Sequence, residues 1–172
     1  AIADFEGLAE SGDHLAQFNL ATLLRAGKGR PQNFSEALRW AWLAQLGGVR
    51  RAAPLAEELA DMLPGEVLEK VRSSVDARLL GRLDRGERAA ILQYARFRTE
   101  FLEEPDLETA LKWQMIGAAL SIPGALEARD ETADTLGIAT IVEIQAAATQ
   151  MFMQEDLPAR FAPPAPAQPA GE

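Results

Sequence analysis

The chain contains no cysteine, a single histidine, a single tyrosine, and only 6% aromatic residues in all. Without cysteine there are no disulfides, no thiolate metal sites and no cysteine nucleophile. With His14 as the only histidine there is no histidine pair for a zinc site, and a Ser-His-Asp arrangement would have to use His14 itself. No apolar run approaches the roughly 20 residues that a membrane-spanning helix needs. Positive charge is also scarce: 17 basic residues face 26 acidic ones, for a net charge of −9 and a pI near 4.7. A phosphate backbone is repelled by such a surface, so nucleic acid is not an expected partner. A cysteine-free chain is compatible with cytoplasm and periplasm alike. Ala1 fits either the residue left after removal of an export signal or a segment that starts internally, so localisation stays open between the two.

What the chain has in abundance is alanine and leucine at helical spacing, written twice. At 172 residues it is long enough to bury a core without staples. Residues 36–48 read EALRWAWLAQLGG and residues 109–121 read TALKWQMIGAALS. The frame Ala37-Leu38-Arg39-Trp40 returns as Ala110-Leu111-Lys112-Trp113, a shift of 73 residues from position 40 to position 113. Repetition on this scale is the mark of a helical repeat array.

The first helix of the repeat is expected over Asp13–Ala26, with Ala16, Leu20, Leu23 and Leu24 on one stripe, Asp13 as N-cap and Gly27 as the stop. Gly86, Ala90, Tyr94 and Ala95 repeat Gly12, Ala16, Leu20 and Ala21 at a shift of 74. Asn33 is expected to cap the second helix, with Glu36 reaching back in a capping box. Asp106 takes the equivalent place, but Thr109 stands where Glu36 would be, and the shift drops to 73 across this shorter loop. A third helix is expected over Ala52–Leu63, whose ending ADML returns as ADTL at 133–136. Pro64-Gly65 breaks the chain before a fourth, over Glu66–Leu80. Leu68, Val71, Val75 and Leu79 form its face, matched by Ile141, Ile144, Ala148 and Phe152. The second helix carries Ala37, Trp40 and Ala44 on one side and Leu38, Trp42 and Leu46 on another, so it must be sandwiched.

The expected fold is therefore all-α, an α-α superhelix or solenoid of about eight helices built from two duplicated four-helix units. Unit 1 is residues 1–82 and unit 2 residues 83–157. Residues 158–172, rich in proline and alanine, form a flexible tail. Ile2, Phe5 and Leu8-Ala9 fit the last turns of a helix that enters unit 1. The expected core of the repeat comprises Ala16, Leu20, Ala37, Trp40 and Ala44, with Ala90, Tyr94, Ala110, Trp113 and Gly117 in the second copy.

Residues 12–48 resemble a Sel-one-like repeat, a branch of the tetratricopeptide-like α-solenoids. The residues that carry the likeness are Gly12-Asp13, Ala16-Gln17, Leu20-Ala21, Gly27-Lys28-Gly29, Asn33, Glu36-Ala37, Arg39-Trp40, Ala44 and Gly47. Residues 86–121 resemble a degenerate second copy that lacks the two loop glycines and has Arg98 where Leu24 stands in the first. The resemblance implies a non-enzymatic adaptor that holds a protein or peptide partner, with no cofactor. By the same analogy Gln17 and Arg25, as exposed positions of the first helix, are the expected contacts; Lys28 and Arg30 join them on the separate ground of the charge of the following loop. The alternative is a domain that binds or processes a small molecule or cell-wall fragment in a groove between the units.

Other chemistry finds little support. His14 falls at a solvent-facing repeat position. The doublets Glu57-Glu58 and Glu103-Glu104 point in different directions on a helix and so are not acid/base pairs. GKG at 27–29 lacks the rest of a phosphate loop. The loops of the two units do differ in charge, with Arg25, Lys28 and Arg30 in the first against Glu100, Glu103, Glu104, Asp106 and Glu108 in the second. That contrast would suit head-to-tail self-association.

Overall fold

A computed structural model describes residues 2–165, and among them all regular structure is helical. The chain divides into two compact units between Leu79 and Leu80. Unit 1 holds α1 (Ile2–Glu10), α2 (His14–Ala26), α3 (Phe34–Leu46), α4 (Ala52–Met62) and most of α5 (Gly65–Asp84). Unit 2 holds α6 (Ala89–Glu100), α7 (Leu107–Ala119), α8 (Ala125–Ala133), α9 (Ile138–Gln154) and the single turn α10 (Leu157–Arg160). The count among the described residues is ten rather than about eight, because α1 and α10 flank the two sets of four.

The helix ends follow from the capping residues. The Asp13 carboxylate accepts from the Ala16 amide at 2.8 Å, and Gly27, at φ 71°, closes α2 in the left-handed conformation that glycine adopts without steric cost. The Asn33 side chain accepts from the Glu36 amide at 3.1 Å. The reciprocal half of the expected capping box is not made. The Asn33 amide donates instead to the Leu24 carbonyl, which ties the loop back to α2, and the Glu36 carboxylate accepts from the Asn33 side-chain amide and from Arg30. In unit 2 Asp106 caps α7 through the Thr109 amide at 3.1 Å, and its own amide donates to Arg98, as Asn33 does to Leu24.

In unit 1, α3 packs against both α2 and α4, as an element apolar on two sides requires. Ala37, Trp40 and Ala44 are buried, and so are Leu38, Trp42 and Leu46. In unit 2, α7 holds the matching place, packed on α6, α8 and α9. The helices α3, α4 and α5 begin at Phe34, Ala52 and Gly65, while α7, α8 and α9 begin at Leu107, Ala125 and Ile138, each pair 73 apart. The turn after the second helix is also repeated. Val49 donates to Ala44 in one copy and Ile122 to Gly117 in the other, around a left-handed residue that is Gly48 in unit 1 but Ser121, at φ 58°, in unit 2.

The fourth helices differ. Val71, Val75 and Leu79 are buried on α5, whereas on α9 only Ile144 and Ala148 are, leaving Ile138, Val142 and Met153 largely in solvent.

The expected tail starts later than position 158. Leu157 and Phe161, one helical turn apart on α10 and its end, are both fully buried. Arg88 holds the segment by donating to the Phe161 carbonyl at 2.7 Å and to the Leu120 carbonyl at 2.9 Å. Residues 162–165 are exposed and non-helical, and the remainder of the expected tail lies outside the described residues.

Candidate functional site

All ten residues expected in the repeat core are buried. The two tryptophans occupy equivalent places on their helices with different neighbours. In unit 1 the Trp40 ring lies under two guanidinium groups, Arg39 at 4.2 Å and Arg78 at 5.4 Å, and its buried indole N–H has no hydrogen-bond partner. Burial holds the Arg39 guanidinium below the usual arginine pKa, against the opposing pull of Glu10 and Glu36. In unit 2 Trp113 meets Tyr94 and Phe161 edge to face at 6.4 and 6.3 Å. The common frame is thus finished with cations in one copy and aromatics in the other.

The expected partner contacts are placed as follows. Gln17 is not at the surface: it is 1% exposed, donates to the Ala9 carbonyl at 3.2 Å and meets His14 Nδ1 at 2.8 Å. The reason is α1, which covers this side of α2. The C-terminal carbonyls of α1 take bonds from both Gln17 and Arg78. His14 is likewise only half exposed, its ring so close to Gly47 that a Cβ there would fall 2.0 Å from it. Arg25 pairs with Glu58 across α2 and α4, and Arg30 pairs with Glu6 and Glu36. The Glu6 hydrogen bond, reinforced by Glu36, raises the Arg30 pKa. Lys28 is exposed, and it alone of these three cations has no ion pair among the described residues.

Arg98, the unexpected charge in the second copy, is satisfied locally. Its guanidinium donates to the Tyr94 hydroxyl at 2.8 and 3.0 Å and to Asp106 at 3.3 Å, so it braces the shortened loop from within.

Among the concavities of unit 2, two set it apart from unit 1. One, of about 340 Å³, is bounded by Met115, Ile116 and Ala119 of α7 and by Ala148 and Phe152 of α9, with Arg129 at its side. Met115 stands where unit 1 has the buried Trp42. The other, of about 490 Å³, opens between α6 and α8 over α7; most of its lining is apolar, with Leu92, Ala95, Leu107 and Ala128, and set into it are the polar groups Arg96, Thr99 and Glu100 from α6, Gln114 from α7, and Glu131 and Thr132 from α8. Gln114 and Thr132 are buried at 5% and 8% exposure, and Gln114 Oε1 accepts no hydrogen bond. Sequence reasoning missed this site because it rests on differences between the copies, not on their shared frame. Setting position 41 beside 114 and position 59 beside 132 would have shown Ala against Gln and Leu against Thr.

Among the described residues no group of three or more His, Asp or Glu side chains is arranged to hold a metal ion, and no helix is long and apolar enough to cross a membrane. No protein-family model and no curated protein matches the chain. Among solved structures the chain is similar to a protective antigen present in uropathogenic Escherichia coli strains that displays an SLR fold, at 18% identity and a TM-score of 0.41. The alignment covers 99% of this chain and 44% of the antigen, so the chain spans less than half of that protein's length. The fold class is all-α helical repeat, carried by the helices and turns described above.

Proposed function

We propose that the chain is a non-enzymatic interaction module, a helical repeat scaffold whose second unit offers the binding surface to a protein or peptide. The observation that supports it most is the divergence of the copies at equivalent places. The frame is kept in both, while unit 2 has lost the side chains that occupy the space between the first and third helices of unit 1. A largely apolar cavity with a few polar groups and an unsatisfied buried acceptor suits recognition. His14, the one histidine, is engaged with Gln17 and Gly47, which speaks for scaffold and against general-base work. Of the four expected contacts, Lys28 retains that role most freely, since Gln17 is internal and Arg25 and Arg30 already have carboxylate partners. The same pairing removes much of the charge contrast on which head-to-tail association through the loops would depend.

The test is position-specific photocrosslinking. A crosslinker at Leu107, on the rim of the α6/α8 cavity, is expected to capture a discrete polypeptide partner, and one at the equivalent Phe34 is not. Thermal stabilisation by a defined small ligand without any polypeptide capture would favour the small-molecule alternative.

A further inference from the structure

We infer that the cavity between α6 and α8 receives a guanidinium group, the side chain of an arginine presented by a peptide partner; the inference rests on the interaction-module reading above. In unit 1 the Arg25 guanidinium crosses from α2 to pair with Glu58 on α4. At the equivalent positions of unit 2 stand Thr99 on α6 and Glu131 on α8. The carboxylate is repeated and the arginine is not, so Glu131 has no ion pair among the described residues. The floor changes in the same sense. Ala41 becomes Gln114, whose buried Oε1 accepts no hydrogen bond, and Leu59 becomes Thr132. Phe18, Phe34 and Leu55 give way to the smaller Leu92, Leu107 and Ala128, and the space is about 490 Å³.

The vacated position therefore asks for a cation that brings several N–H donors with it. A guanidinium has five donors in a planar fork and can serve a carboxylate and an amide oxygen together, which the compact ammonium of lysine does less well. The resident cation, Arg96, is paired with a carboxylate of its own helix. Its Nε donates to Glu100 at 2.9 Å and its guanidinium lies 5.7 Å from the Phe101 ring. The acidic residues Glu103 and Glu104 of the neighbouring loop add a field that draws cations towards this end of the unit.

The experiment is an NMR titration of the full chain with three capped tripeptides, Gly-Arg-Gly, Gly-Lys-Gly and Gly-citrulline-Gly. The arginine peptide is expected to move the Gln114 side-chain amide and the Thr99 and Thr132 backbone resonances in a saturable way. The citrulline peptide, which keeps the shape and loses the charge, is expected to leave them in place, and the lysine peptide to bind at least several-fold more weakly. Glu131→Gln should weaken the arginine peptide about tenfold. Thr99→Arg, which rebuilds the unit 1 pair inside unit 2, should abolish binding with no loss of melting temperature, while Arg25→Thr should leave it unchanged. Equal shifts from the citrulline or lysine peptide, no shift from the arginine peptide, or undiminished binding by a folded Thr99→Arg variant would overturn the inference. Crosslinking at Leu107 that still captures a polypeptide in that event leaves the interaction module standing, so the two failures are separable.

Discussion

Substituting Gly86 by alanine tests how α10 is held to unit 2. Gly86 sits at φ 75°, and a Cβ built there falls 1.9 Å from the carbonyl oxygen of Arg160. Gly12, its equivalent at φ 99°, has nothing within 4 Å of the same point. Both substitutions force alanine into the left-handed region, which costs about 1–2 kcal/mol. At position 86 the backbone oxygen is not a flexible side-chain end, so the strain is relieved only by moving α10. That movement surrenders burial of Phe161 and Leu157 and the Arg88 hydrogen bond, a loss of the order of deleting a buried phenylalanine, about 3–5 kcal/mol. Adding the two terms, Gly86→Ala is expected to lose about 4–7 kcal/mol in urea unfolding, against about 1–2 kcal/mol for Gly12→Ala. Once α10 is displaced, removing Phe161 has little left to cost. The double variant Gly86→Ala/Phe161→Ala should accordingly be far less destabilised than the two single changes added together. Equal effects at positions 12 and 86, or an additive double variant, would refute the proposed docking.

Three other changes read the structure at different levels. Ser121→Gly should stabilise the chain by roughly 0.5–1 kcal/mol, because Ser121 holds at φ 58° the place that Gly48 fills in unit 1; thermal unfolding would show it, and a loss of stability would contradict the assigned turn. Gln17→Ala should cost about 1–3 kcal/mol by removing a buried side chain together with its bonds to the Ala9 carbonyl and to His14, a value that a merely exposed glutamine would not approach in the same measurement. Arg25→Ala should cost under about 1 kcal/mol, since the Arg25 and Glu58 side chains are 42% and 48% exposed and solvent screens their pair; a larger loss in denaturant titration would mean that this pair anchors α4.

The sequence carried the frame of this fold because the determinants are local and repeated. Asp13, Asn33 and Asp106 announce helix starts by their own side-chain chemistry, and the 73-residue shift carries the starts of α3, α4 and α5 to those of α7, α8 and α9. What it carried less well depends on segments that return from elsewhere. Gln17 looks like a surface residue until α1 is laid over α2 and Arg78 is brought to the end of α1. Phe161 lies in a proline-rich run whose composition argues for disorder. The opposing signal, Leu157 and Phe161 four residues apart, is one turn long and becomes decisive only when Gly86 leaves room for the Arg160 carbonyl. The capping box at Asn33 failed for a similar reason: the backbone donor it would have used closes the loop onto Leu24.

Duplication explains why the cavity of unit 2 could arise without loss of the fold. Each copy fixes its second helix by small residues and a tryptophan: Ala37, Trp40 and Ala44 in one, Ala110, Trp113 and Gly117 in the other, all buried. Side chains at the edge of that frame are free to change provided some other contact replaces the lost burial. In unit 2 the replacements are visible, with Tyr94 and Phe161 set edge to face against Trp113 and Arg98 tied to Tyr94 and Asp106. These contacts lie on the α6/α7 side and at the docked α10, and they leave Gln114, Thr132 and Glu131 without a stabilising duty of comparable size. A test of that division of labour is Gln114→Ala, which restores the residue of unit 1 at position 41. It removes an unsatisfied buried acceptor, so the variant should be at least as stable as the parent in urea unfolding, within about 1 kcal/mol. A loss of 2 kcal/mol or more would show that Gln114 supports the fold itself and would deny the cavity its freedom to serve a partner.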